Sequence, residues 1–526
     1  MNFHPAERLR REPRARAAAA ALLLTAGGDE RIRIDPATGR NRYATTATPR
    51  PDEIFLSSST ASTITPRAYR AVESAWAELS ADSRNGHARI DRLFDDLGAR
   101  LLALFGVAGS DVVLAGSGTE VELIALAIAR SMAPGPLTNI VLAPAETGSG
   151  VLRAAVGAHF LDSAPFGESG RAGERLNGWA DADIKAMAVE IRDSLGNLRS
   201  AADIDTDARD CAHTALAAGR NVLLHRLETS KTGRAGLTAA AAAQIAANAP
   251  ERVVVIVDCC QMRCSRRRIR QYLECGFMVA ITGSKFFGGP PFSGALLLPR
   301  QILWRIERLA LPDGLADYSS RLDWPRDLRA RTELAWRNEA NLGLGLRWVA
   351  ALEEMERFYA VPDDLSREIL CYFEKEVRKR SQSFDHIHEI GGQSPQLAGA
   401  LDTIMSFAMT HPDGAPFSPA ETAAVHAHLR QPCPHSLAGS GDPRIFHLGQ
   451  PVAIGPRTAL RVCASAPLVS DIAELILAGE DIENAFVKLV NDIDLLFAKW
   501  LQIMIEISTR IRRKTPIAQS FERAQQ

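Results

Sequence analysis

Three short apolar runs, NVLLH (221–225), RVVVIVD (252–258) and FMVAITG (277–283), follow one another with helical stretches between them. This alternation constrains the chain more than any other feature. A strand that is apolar on both faces must be covered on both, which points to a largely parallel sheet between layers of helix. DVVLAG (111–116) and TNIVLAPAE (138–146) extend the pattern upstream. The fold class is therefore α/β. Residues 1–54 read as an N-terminal arm, 55–330 as a large α/β domain, and 331–526 as a smaller C-terminal α+β domain ending in a helix. Residues 161–215 are polar and weakly periodic, and look like an insertion.

The start of the chain, MNFHPAERLRREPRARAAAAALLLTAGG, has a secretory-signal outline, but Glu7 and Glu12 interrupt its basic part and no clean cleavage site follows. It reads as an arm helix ending at Gly27-Gly28. With 61 Lys+Arg against 62 Asp+Glu, no global field favours nucleic acid or a membrane. No run of about 18 apolar residues is present. The eight cysteines form no CxxC pair, which suggests free thiols in a reducing, cytoplasmic compartment.

In open α/β sheets, ligands bind beyond the carboxyl ends of the strands. Four such ends carry usable chemistry. LAGSGTE (114–120) delivers Gly116, Ser117, Gly118 and Thr119 to a helix start, either a tight turn or an anion cradle of free N–H groups. Val121 stands where a dinucleotide fingerprint wants its third glycine. Asp258 closes a fully apolar strand, either as a helix N-cap or as a partner for a cationic ring N–H, with Gln261 able to present an amide to the same ligand. HRLETSKTGRAG (225–236) sends hydroxyls into a glycine turn, which taken alone is an ordinary turn. Thr282 and Ser284 precede Lys285 ahead of a glycine-rich loop. A lone lysine there is usually solvated; a desolvated one becomes an amine nucleophile.

Together, in that chain order, the four match the needs of pyridoxal 5'-phosphate (PLP). The phosphate wants backbone donors, the pyridine nitrogen a carboxylate, the phenolic oxygen donors and the aldehyde a lysine.

On these motifs the chain resembles the fold-type-I PLP enzymes, and more narrowly the class V aminotransferase group that includes the cysteine desulfurases. SGSGTE is similar to the group's phosphate turn and HRLETSKTG to its His…Glu-Thr/Ser…Thr-Gly segment. VDCCQ is similar to its Asp-x-x-Gln element, and TGSK to its Ser-x-His-Lys element. The resemblance spans roughly 55–480. It implies the PLP-dependent transferase fold, with a sheet of the seven-stranded type, and a homodimer acting on a small amine or amino acid. Lys285 would form the internal aldimine and Asp258 would hold the pyridinium. Gln261 and Ser230 would bond the phenolic oxygen, while Gly118, Thr119, Thr282 and Ser284 bind phosphate. ALRVCAS is similar to the group's C-terminal strand, so Arg461 would grip a substrate carboxylate; a plain strand arginine is the other reading.

Departures from the group stand out. PAETGSG offers only Thr147 where an aromatic or His usually stacks on the ring. The partner's phosphate-reaching Gly-Thr has no counterpart, with Asn341 as a substitute. FHLGQPV has Leu448 where a desulfurase loop places its cysteine, and Cys433 lacks the context of a second desulfurase type. RCSRRRIR (263–270) reads as a solvated helix face, with substrate-anion recruitment as the other reading. Transamination is the first expectation, β/γ-elimination of the desulfurase or kynureninase kind the second, and a non-catalytic PLP-fold binding protein the third.

Overall fold

The computed structural model describes residues 13–81, 85–167, 170–391, 403–432 and 444–514. Strand β1 (Glu53–Leu56) leaves the N-terminal segment. Then come β2 (Asp111–Ala115), β3 (Leu137–Leu142), β4 (Ile184–Val189), β5 (Asn221–Leu227), β6 (Val253–Asp258), β7 (Met278–Thr282) and β8 (Gly294–Leu298). After a helical region follow β9 (Ile387–Glu389), β10 (Ile404–Met409), β11 (Ile445–Ile454) and β12 (Arg457–Cys463).

The large sheet has seven strands in the order β2-β8-β7-β6-β5-β3-β4. β8 runs antiparallel to both its neighbours, and the other neighbouring pairs are parallel. Alternation along each strand divides the core. Val253, Val255 and Val257 of β6 enter the apolar cluster on one face, while Val254 and Ile256 enter the cluster on the other. That is the period-two geometry of a strand covered on both sides.

Two boundaries differ from the sequence-based expectation. Residues 161–215 contain β4 and the helix Ala201–Ala217, whose Ile204, Ala208, Ala212 and Ala215 join the first core cluster. Within this stretch, 184–189 form the edge strand and 201–217 the helix that covers it. The helix Leu342–Ala360, placed in the small domain by sequence, packs on the helices Pro66–Ser80 and Gly86–Phe105 of the large one.

The small sheet runs β1-β11-β12-β10-β9, with β1 parallel to β11 and the rest antiparallel. β1 is thus contributed from ahead of the large domain. The β11/β12 register shifts between Gly449 and Val452. This irregularity turns Gln450 and Pro451 toward the large sheet, where they line the site.

Candidate active site

One cavity of about 340 Å³ lies beyond the carboxyl ends of the large sheet's central strands, a size within the common range for small-molecule sites. Of the nine residues singled out from sequence, eight line it: Gly118, Thr119, Asp258, Gln261, Thr282, Ser284, Lys285 and Arg461. Ser230 does not.

After β2, Ser117 caps the helix Gly118–Met132 with its hydroxyl accepting from Glu120 N at 3.3 Å. The N–H groups of Gly118 and Thr119 are orphans of the first helical turn, at its positive end. Gly118 allows close approach, because a Cβ there would lie 2.9 Å from Cys260 Sγ. Glu120 is buried, and its carboxylate accepts from Gly116 N at 2.7 Å. Burial, reinforced by nearby Asp29, pushes its pKa up to about 8 against the pull of Arg31.

At the end of β6, Asp258 Oδ1 accepts from Cys260 N at 2.9 Å, which fixes the carboxylate. Gln261 donates from Nε2 to Ser59 O at 3.1 Å, while its buried Oε1 has no partner.

β7 delivers Thr282, Ser284 and Lys285. Thr282 Oγ1 donates to Cys260 O at 2.7 Å, so its hydroxyl proton is committed to the protein. The glycines around Lys285 serve packing. A Cβ at Gly283 would fall 2.3 Å, and one at Gly289 2.8 Å, from Ala351 Cβ. Helix Leu342–Ala360 therefore presses on the lysine loop, and Arg347 and Trp348 tie it down by donating to Phe292 O (2.7 Å) and Gly294 O (3.0 Å).

The turn after β5 explains Ser230. Its hydroxyl donates to Glu146 Oε2 at 2.7 Å and accepts from Thr232 N and Arg234 N, both at 3.1 Å. Glu146 is also held by Arg192 and Thr232. Ser230 therefore braces the turn, and its neighbours Thr229 and Lys231 line the cavity instead. Burial, then Arg461 and Lys285, lowers the Lys231 pKa to about 8, with Glu146 opposing.

From β12, Arg461 reaches in with its guanidinium donating to Lys231 O (3.0 Å), Thr60 Oγ1 (3.1 Å) and Gln450 O (2.7 Å). Every one of these acceptors is neutral. Gly449 opposite makes room, since a Cβ there would sit 2.9 Å from Arg461 Cβ.

Sequence reasoning missed the contribution of the N-terminal segment. Arg31 and Tyr43 line the cavity. Arg31 forks onto Asp29 and lies between the rings of Phe160 and Phe292, at 5.5 and 5.0 Å. Nothing in an irregular, turn-rich stretch signals that its arginine will face a site two hundred residues on. Asn341, the substitute phosphate contact, instead caps its own helix and donates to Gly27 O at 2.8 Å. Tyr43, His225 and Phe292 are the rings at the cavity wall, and Thr147 also lines it. Leu448 is buried within β11, and Cys433 lies outside the described residues. The arginine run is not a free face: Arg263 donates to Ala464 O at 2.9 Å and Arg268 pairs with Glu228 at 2.8 Å.

No protein-family model matches the chain, and no curated protein sequence does. Solved structures do. A cysteine desulfurase from Thermococcus onnurineus NA1 is similar over 81% of this chain and 95% of its own, at 14% identity and TM-score 0.50. A mutant of C-DES with glycine covalently linked to its PLP cofactor matches over 85% of this chain and 99% of its own, at 13% identity and TM-score 0.51. The glutamate decarboxylase domain of a Vibrio parahaemolyticus transaminase–decarboxylase matches over 87% and 81%, at 13% identity and TM-score 0.50. The chain has the fold of the fold-type-I PLP-dependent enzymes. Within that transferase fold, the parallel strands with one reversed member and the cavity at their carboxyl ends are accounted for together. Among the described residues, no helix is long and apolar enough to cross a membrane.

Proposed function

We propose that the protein is a PLP-dependent enzyme acting on an amino acid or related primary amine, and that it is an aminotransferase. The observation that carries this is the placement of Asp258 and Lys285 at the ends of adjacent parallel strands, lining one cavity. The residues fit the cofactor. The first turn at Gly118–Thr119 would offer orphan N–H groups to a phosphate and the Asp258 carboxylate would face a ring N–H; Gln261 has Nε2 on Ser59 O and Oε1 unmatched, so its amide would turn over to donate to the phenolic oxygen.

Pyridoxal phosphate, when bound, supplies an aldehyde for the substrate amine and a ring that takes up the electron pair left at Cα. Asp258 would face the ring nitrogen and hold its proton there. Lys285 is the amine that would hold the cofactor, and its Nζ would be the base placed to take the substrate Cα proton. Arg461 would bind the substrate carboxylate with its charge and the donors that its three fixed bonds leave free, Nε–H and one Nη1–H. The resemblance also carries a homodimer, which sedimentation would test.

A desulfurase reading needs a reactive thiolate at the substrate. Cys260 is the lining cysteine among the described residues, and burial pushes its thiol well above the usual range. This weighs against the desulfurase form of elimination alone; transamination stands first and elimination of other kinds second. The test is to purify the protein, record its absorbance, and treat it with borohydride. A band of the bound cofactor and a mass increase at Lys285 are expected; a colourless protein with an unchanged Lys285 peptide overturns the reading. Turnover of amines only with an added 2-oxo acid separates transamination from elimination.

A further inference from the structure

Charge accounting among the cavity's own side chains leaves two cations without a carboxylate, while the phosphate of the proposed cofactor would be met by the N–H groups of Gly118 and Thr119. Glu122 accepts from Asn139 Nδ2 at 2.6 Å and meets His225 Nε2 at 3.1 Å. Glu146 is held by Arg192, Ser230 and Thr232. Arg31 is neutralised by Asp29. Asp258 and Lys285 are engaged by the cofactor in the reading above. Among the described residues, two cations at the wall remain without a carboxylate partner: Arg461, buried, and Lys231, half-buried.

The two are joined, because Arg461 Nη1 donates to the carbonyl of Lys231 itself. Lys231 is also pinned through its N–H to Glu146 O at 2.9 Å. The side chain therefore leaves a fixed backbone. Desolvating a cation without an anion is unfavourable, and Lys231 bears this cost beside two further cations, Arg461 and Lys285, with Glu146 the one opposing charge. Such an arrangement suits an incoming anion. One anionic group would answer the charge of Arg461, whose Nε–H has no partner; a second is needed for the point charge of Lys231.

We propose that Lys231 recognises a second anionic group on the substrate, so that the amine taken is an acidic amino acid, with its α-carboxylate on Arg461 and its side-chain carboxylate or phosphate on Lys231. This rests on the site being a PLP amine site, but the subsite itself is a property of the two cations and can be read without turnover.

The test uses the full-length protein as purified, in wild-type, Lys231→Met, Lys231→Gln and Lys231→Arg forms. Calorimetry with glutarate and butyrate reads the subsite apart from any chemistry. Glutarate is expected to bind the wild type about tenfold or more tighter than butyrate. Lys231→Met or Lys231→Gln should raise the glutarate Kd about 10- to 100-fold and change butyrate less than about threefold, while Lys231→Arg keeps the preference. Cofactor spectral titrations with alanine, aspartate, glutamate and O-phosphoserine then tell carboxylate from phosphate, and loss of preference for either acid in Lys231→Gln supports the subsite. Equal wild-type affinity for glutarate and butyrate, or equal weakening of both by Lys231→Gln, overturns it. A colourless protein that still selects glutarate through Lys231 would sink the cofactor reading and leave the subsite standing; a coloured protein without the selectivity does the reverse.

Discussion

Arg461 Nη1 donates to the main-chain carbonyl of Lys231 across 3.0 Å, linking β12 of the small sheet to the turn after β5 of the large one. The same guanidinium holds Gln450 O and Thr60 Oγ1, so four chain segments meet on one side chain whose charge none of them neutralises. Lysine cannot reproduce that planar fork. Arg461→Lys is expected to weaken binding of an α-amino acid about 10- to 100-fold, by losing the donors that the three fixed bonds leave free for the substrate, while cofactor content stays near wild type. Spectral titration with a slow amino-acid substrate checks this. An unchanged apparent Kd would mean that Arg461 serves only to join the sheets.

Asp258 is fixed by Cys260 N on one oxygen. Asp258→Asn preserves the shape and the bond from Cys260 N but removes the charge that keeps a ring nitrogen protonated. Exchange of the substrate Cα hydrogen with deuterated solvent, followed by mass, should slow by about 100-fold or more, a loss in the range found when a single electrostatic group is removed from an active site. Colour should persist. Exchange at the wild-type rate would remove Asp258 from the mechanism.

Gly118 faces Cys260 Sγ with space for a hydrogen and no more. Gly118→Val forces the cradle and the Asp258 turn apart, at about 1–3 kcal/mol of overpacking. PLP affinity, measured by adding the cofactor back to apoprotein, should drop about tenfold or more. The double change Gly118→Val with Cys260→Gly should recover part of it, which a general folding defect would not.

Much of this architecture is legible in the sequence because burial leaves a signature. VVVIVD can only be a central strand, and the chemistry at its end follows. β4 is hidden because it sits at the sheet edge, where Lys185 and Ala188 are exposed and the apolar run is broken. β1 is hidden for a different reason: its partner β11 lies about 390 residues away, and pairing at that distance has no local signal. The same holds for Arg31 and Tyr43. Ser230 illustrates a third limit. Sequence places its hydroxyl in the right turn, but the direction it faces is decided by Glu146, from the end of another strand.

That direction has a consequence for Ser230→Ala. The hydroxyl satisfies a buried carboxylate and two backbone N–H groups, so its removal is expected to cost about 1–3 kcal/mol of stability. Denaturant unfolding should show the loss, and cofactor affinity should change less than about threefold. A large drop in affinity at unchanged stability would restore Ser230 as a direct cofactor ligand.

Glu120 gives the site a pH dependence with a definite sign. Its carboxyl is buried in the first turn of the cradle helix, and burial with Asp29 nearby raises its pKa to about 8, while Arg31, the bond from Gly116 N and Arg347 act in the other direction. The folded value lies above the ordinary value of 4.5. Glu120 therefore favours the folded state fully below about pH 4.5, and this contribution is lost as pH rises through about 8. The loss is on the order of a few kcal/mol. Glu120→Gln keeps an oxygen for Gly116 N and cannot ionise. Urea unfolding at pH 5.5 and 8.5 should show the wild type losing more stability than Glu120→Gln across that interval, with the variant the more stable of the two at the upper end. The ionised carboxylate would also stand beside the orphan N–H groups of Gly118 and Thr119, where a phosphate is proposed to sit. Cofactor affinity should consequently fall more steeply with pH in the wild type than in Glu120→Gln. Parallel pH profiles for the two proteins, in both stability and affinity, would show that the carboxyl is already ionised at pH 5.5 and that Arg31 and Arg347 outweigh its burial.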